Sequence, residues 1–187
     1  MRLGATVKPQ PCSPDRSTVS ALPQGLGAAP AQPGKLVGGI LNAAASWLWA
    51  KSGYGRRMVF LFADAVLVLE TNLAGKPLGV DGLDLDDEMI VALPAHACEM
   101  AELDSRNALL WVREIRAARL SGRRKYGLFC LELRTQDDGD FTFYWRAKHA
   151  WRTVEQDGAF PVPDHAERVA VEDLRRVFGT LLVDETT

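Results

Sequence analysis

An α+β domain, with an antiparallel β-sheet sandwich or partly open barrel closed by a C-terminal amphipathic helix, is what three stretches of this 187-residue sequence predict. In the first, Phe129, Leu131 and Leu133 alternate with Cys130, Glu132 and Arg134. Phe141, Phe143 and Trp145 then alternate with Thr142, Tyr144 and Arg146, giving a two-faced hairpin around DDGD. In the second, Met58 to Phe62 and Val66 to Leu69 flank Ala63-Asp64-Ala65 and are apolar on every side, as a buried hairpin or one long kinked strand would be. In the third, Leu174, Val177, Phe178, Leu181 and Leu182 keep helical spacing after a Pro163-Asp164 start, with Glu172, Asp173, Arg175 and Arg176 on the other face.

A chain of this size is expected to form one domain with a self-sufficient core. With 22 basic and 24 acidic side chains the formal charge is -2, so no global field draws it to nucleic acid or an anionic bilayer, and any such attraction is local. Cys12, Cys98 and Cys130 are odd in number and far apart, which suits a reducing cytoplasm rather than a disulfide framework or a zinc ribbon. The opening MRLGATVKPQPCSP lacks the apolar run of roughly 7 to 15 residues that a secretory signal needs.

Residues 1–34 hold six of the ten prolines and almost nothing large enough for a core, and read as a disordered tail. Its Pro11 and Pro14 form a P-x-x-P, a pattern common by chance. Residues 35–55 form a short apolar segment with helical spacing at Leu36, Ile40, Ala44, Trp47 and Leu48. From Leu36 to Ala50 it is shorter than the about 20 residues a spanning helix requires, so no transmembrane span is expected. Trp47, Trp49 and Lys51 resemble the boundary of an interfacial helix and are the candidate interfacial contacts, although a helix packed on its own domain is the commoner arrangement.

The globular domain is expected over 56–187. Residues 72–88 are rich in Gly and Asp and read as a loop. Its acids from Asp81 to Glu88 miss the ligand order and the turn glycine of a calcium loop, so no metal is expected. Met89 to Leu93 and Cys98 to Leu103 are expected strands on either side of Pro94. Over Ala108 to Leu120 the residues suit a helix, or strands divided at Arg113-Glu114, and periodicity alone does not choose.

Early strand pair, middle strand, late hairpin and closing helix, carried by MVFLFADAVLVLE, WVREIRAARL and LELRTQDDGDFTFYW, resemble the order of elements in the pleckstrin-homology-like (PH-like) superfamily, including bacterial PH and GRAM-type domains. The resemblance spans residues 56–183 and is one of pattern, without a residue fingerprint. It implies strands over 108–120. It also implies that lipid headgroup recognition at the first hairpin is unsupported, because that turn would be Ala63-Asp64-Ala65, without cations.

Arg113, Arg116, Arg119, Arg123, Arg124 and Lys125 place six cations in thirteen residues against Glu114 alone. Arg116, Arg119, Arg123, Arg124 and Lys125 are therefore the candidate anion or membrane contacts. A solvated turn, whose charges keep strand edges from pairing with other chains, is the competing reading, and the slightly negative net charge favours it. Nucleic acid is not expected, since no known motif accompanies Trp111 and Tyr126.

No nucleophile with a base, paired carboxylates or phosphate-cradling glycine loop assembles, and His96, His149 and His165 have unlike neighbours. His96 and Cys98 form a close pair, short of the three or four ligands zinc takes. The functional expectation is a non-catalytic interaction module, without cofactor, for a protein partner or an anionic membrane surface. A small enzyme or ligand-binding barrel with an unidentified pocket is the alternative.

Overall fold

Two hydrophobic layers on opposite faces of one sheet explain why the early strands are apolar on every side. The computed structural model describes residues 32–46, 48, 56–71, 87–154, 162–164 and 169–187. The expected tail up to residue 31, Trp47, residues 49–55 and all of the expected loop at 72–88 except Asp87 and Glu88, which are helical, lie outside them. Strands β1 (Leu36–Ala43), β2 (Arg57–Phe62), β3 (Ala65–Glu70), β4 (Ala108–Trp111), β8 (Ala150–Val154) and β9 (Val162–Asp164) make the first sheet, in the order β4-β3-β2-β1-β8-β9. Strands β5 (Ile115–Arg123), β6 (Leu128–Thr135), β7 (Asp140–Arg146) and β10 (Leu182–Thr186) make the second, in the order β10-β5-β6-β7.

Along β2 and β3, Val59, Leu61, Val66 and Val68 point into the core between the sheets, where Leu120, Leu131, Phe143 and Trp145 meet them. Phe60, Phe62, Leu67 and Leu69 point the other way, onto helix α1 (Asp87–Glu102) through its Leu93, Ala97, Met100 and Ala101. Strands buried on both faces lose the polar alternation of a half-exposed sheet. The predicted hairpin is present, with Asp64 in its turn accepting a 2.7 Å hydrogen bond from the Gly34 amide.

Over Leu36–Ala43 the expected helical segment is corrected to strand β1, whereas Trp47 and residues 49–55 of it lie outside the described residues. This strand lies between β2 and β8, with Val37, Ile40 and Ala43 in one core and Leu36 in the other. Double-sided burial produced the helical spacing by coincidence. At Gly39 a Cβ would stand 2.9 Å from Trp151 Nε1 and closer still to the Val59 carbonyl, so only glycine lets the three strands approach.

The expected strands around Pro94 are likewise corrected, to the single helix α1 with Pro94 inside it. Leu93, Ala97, Met100 and Ala101 keep helical period and bury one stripe, and that burial outweighs the one hydrogen bond the proline removes. Asn107 clamps the helix end to β3, donating to the Met100 carbonyl at 2.9 Å and accepting from the Glu70 amide at 2.9 Å.

Residues 108–120 are strands, β4 and β5, divided at a 3-10 turn over Val112–Glu114. The hairpin of β6 and β7 pairs Arg134 with Asp140 and Leu128 with Arg146. The closing helix α2 (Val169–Phe178) buries Leu174, Val177 and Phe178 against β8, β1 and β2. It begins later and ends earlier than its pattern suggests. Pro163 and Asp164 belong to β9, and Gly179 at φ 53° stops the helix, so Leu181 packs from a 3-10 turn and Leu182 opens β10. β8, β9 and β10 were not expected.

The chain is therefore α+β, with a C-terminal helix and two sheets that do not close into a barrel among the described residues. They meet where Ala44 and Tyr144 exchange backbone hydrogen bonds of 2.8 and 2.9 Å.

Candidate anion-binding end of the second sheet

Strand β5 ends at Gly122, φ 149°, and Arg123, and a 3-10 turn over Arg124–Tyr126 leads through Gly127, φ 58°, into β6. Strand β7 ends at Arg146, and a second 3-10 turn over Ala147–His149 leads into β8. The two turns abut, because the Ala147 amide donates to the Gly127 carbonyl at 2.8 Å. Across the strands, Arg123, Leu128 and Arg146 stand in one row. The sequence-predicted turn thus gains Arg146, Lys148 and His149 as neighbours.

Arg123, Lys125 and Lys148 are exposed, Arg146 and His149 half-buried. Arg124 opens its turn, and its side chain lies outside what is described. Lys125 Nζ lies 6.0 Å from the ring centre of Tyr126, which is 61% exposed. Burial, and after it the charges of Lys148 and Arg146, hold the His149 imidazole below its ordinary pKa, and its buried Nδ1 has no hydrogen-bond partner among the described residues. The smaller, charge-driven part of that depression registers the positive potential of this end. Arginine forks and lysine ammonium groups side by side can hold the oxygens of phosphate or carboxylate.

The upstream cations do not join them. Arg116 pairs with Asp138 at 2.9 Å, at the far end of the sheet. Arg119 pairs with Glu185 at 2.6 Å and lies 3.8 Å from Glu132, and Arg113 lies over Trp111 at 5.5 Å. Four strand steps separate Arg119 from Arg123, about 13 Å, which exceeds the screening length of about 8 Å at physiological salt. Arg116 and Arg119 are thus candidates that the fold occupies with acids.

Trp47, Trp49 and Lys51 lie outside the described residues, and their neighbour Leu48 is 70% exposed. No helix among the described residues is long and apolar enough to cross a membrane. His96 sits on the exposed face of α1, 3.3 Å from Glu99, and Cys98 is two residues on, turned toward a different face. No group of three metal-ligating side chains occurs among the described residues. The Cys130 thiol is pushed up to about 11, chiefly by burial, so at neutral pH it is not a thiolate nucleophile.

Reading the cations along the chain missed Arg146, Lys148 and His149. The signal was in the hairpin: counting back from the DDGD turn puts Arg146 opposite Leu128, beside the turn that carries Lys125. Comparisons of the chain with family models, curated proteins and solved structures found no match.

Proposed function

We propose that the chain is a non-catalytic, PH-like interaction module that docks on an anionic surface through the basic end of its second sheet. The observation that carries this reading is the abutment of the two turns, which gathers Arg123, Lys125, Arg146, Lys148 and His149 at one end. The three exposed cations Arg123, Lys125 and Lys148 would give about 3 kcal/mol of attraction to an anionic membrane. Tyr126 adds an exposed amphipathic ring of the kind found at membrane interfaces.

The PH-like assignment is supported by a meander over two sheets joined at Ala44–Tyr144, and by α2 packed into the core between them. Helix α1, inserted between β3 and β4, departs from the plain succession of strands. Against a ligand-binding barrel stands the filling of the space between the sheets by Trp145, Phe143, Phe178 and Leu131. His96, Cys98 and His149, the polar groups near which a pocket would favour that alternative, are dispersed: His96 on the helix surface, Cys98 behind it, and His149 in a turn.

The test is sedimentation with vesicles containing phosphatidylserine, run beside a pull-down from whole proteome. Wild type is expected to sediment at low salt and to be released as salt rises. Changing Arg123, Lys125 and Lys148 to Glu is expected to abolish sedimentation while circular dichroism is unchanged. A wild type that ignores vesicles yet captures a partner equally well with and without the three substitutions would overturn the reading.

A further inference from the structure

Strand β10 is attached unlike the others. It is the edge strand of the second sheet and runs parallel to β5, with Leu182 beside Ala118 and Thr186 beside Gly122. None of its five residues is buried, and Val183 is 54% exposed. The chain reaches it through Gly179, at φ 53°, where an added Cβ would meet no atom within 4 Å. Polar contacts hold it at the surface. Arg119 bonds Glu185 at 2.6 Å, and Arg175 bonds Asp184 at 2.6 Å, while the second Asp184 oxygen accepts from the Thr186 amide at 3.0 Å.

Without β10, the backbone groups along Ala118–Gly122 would form an unpaired sheet edge, which is a template for another extended chain. We propose that this edge of β5 is a docking site for an extended acidic segment of another protein, and that the chain's own C-terminal strand occupies it in cis. The backbone ladder accepts any extended segment in register. Arg119 selects an acid at the Glu185 position and Arg175 a second acid at the Asp184 position. Glu132 on β6 also lies 3.8 Å from Arg119. Half-buried Leu182, packed on the core, sets the register of the occupant. The proposal uses no residue of the basic end and stands apart from the function proposed above.

The experiment titrates a fluorescent peptide of sequence TLLVDETT, residues 180–187, into the full chain and into a chain ending at Leu181. Saturable binding to the shortened chain, at least tenfold tighter than to the full chain, is expected. Arg119→Glu in the shortened chain should weaken it tenfold or more, and a peptide carrying Glu185→Lys should restore it. A shortened chain that is folded by circular dichroism yet binds no peptide, or a full chain that binds it equally well, overturns the proposal. Amide hydrogen exchange of the full chain decides the case where the shortened chain does not fold. Amides of 182–186 are expected to exchange at least tenfold faster than those of 129–133, through local opening, and one common rate for both strands overturns the proposal.

Discussion

The two ends of the second sheet both close in tight turns and treat charge in opposite ways. At the β6–β7 end, Arg116 meets Asp138 at 2.9 Å and Arg134 meets Asp140 at 3.2 Å. Thr135 Oγ1 bonds the Asp137 carboxylate and accepts from the Gly139 amide at 2.9 Å, and the Gln136 side chain donates to the Arg113 carbonyl at 2.9 Å. That turn closes on itself. At the other end the two turns are joined by the Ala147 to Gly127 bond, but like charges gather and add to the burial that depresses His149. Folding alone favours the first arrangement, because opposed neighbours cost nothing and like neighbours repel. The second is the arrangement expected where an outside anion completes the pairing.

Both ends hang on one core, so the largest effects fall there and do not discriminate between them. Phe178→Ala, at a buried face of α2, is expected to cost about 3 to 5 kcal/mol in urea unfolding, and Trp145→Ala, beneath the basic end and stacked on Phe129 at 5.6 Å, a similar amount. A near-neutral Phe178→Ala would sink the placement of α2.

Glycine conformation separates the ends next. Gly122→Ala forces a side chain into φ 149° with its Cβ 2.8 Å from Phe129 Cα and nearer still to the Leu128 carbonyl, and should cost at least about 1 to 3 kcal/mol. At the opposite end Asp138 already bears φ 64°. Asp138→Gly relieves that conformation and loses an exposed ion pair of about 0 to 1 kcal/mol, so it should be near neutral. Equal losses at the two positions would erase this contrast.

Smaller still is the effect of protonation. His149 is held below its usual pKa, so the unfolded chain binds its proton first as pH falls. Its contribution to stability is therefore present above about pH 6.5 and declines as pH drops below that value. Lys148→Ala should raise the His149 midpoint in an NMR titration, and anionic vesicles should raise it further. A midpoint insensitive to both would mean that the local positive potential adds nothing to the effect of burial.

The late hairpin, the early hairpin and the buried face of the closing helix were legible, because alternation and helical spacing report one buried face and one wet one. β1 and α1 were not. The first is buried on both sides, so Leu36 and Ile40 mimic a helix, and the second carries Pro94, whose local signal opposed the longer period of Leu93, Ala97, Met100 and Ala101. β10 was hidden because Leu181 and Leu182 continue the spacing of α2 past Gly179. Of the candidate site, the turn at Arg123 to Lys125 was legible as a run of cations. Arg116 and Arg119 seemed to extend it because sequence proximity does not show which acids the neighbouring strands supply.

Charge reversal at the two ends, compared in one vesicle sedimentation series, tests the central claim most directly. One variant carries Glu at Arg123, Lys125 and Lys148, and the other carries Glu at Arg116 and Arg134. The predicted result is that wild type and the second variant bind phosphatidylserine vesicles at low salt with the same salt dependence, while the first does not bind. Equal loss in both variants, or no binding by a folded wild type at low salt, would contradict the claim that the basic end is the docking surface.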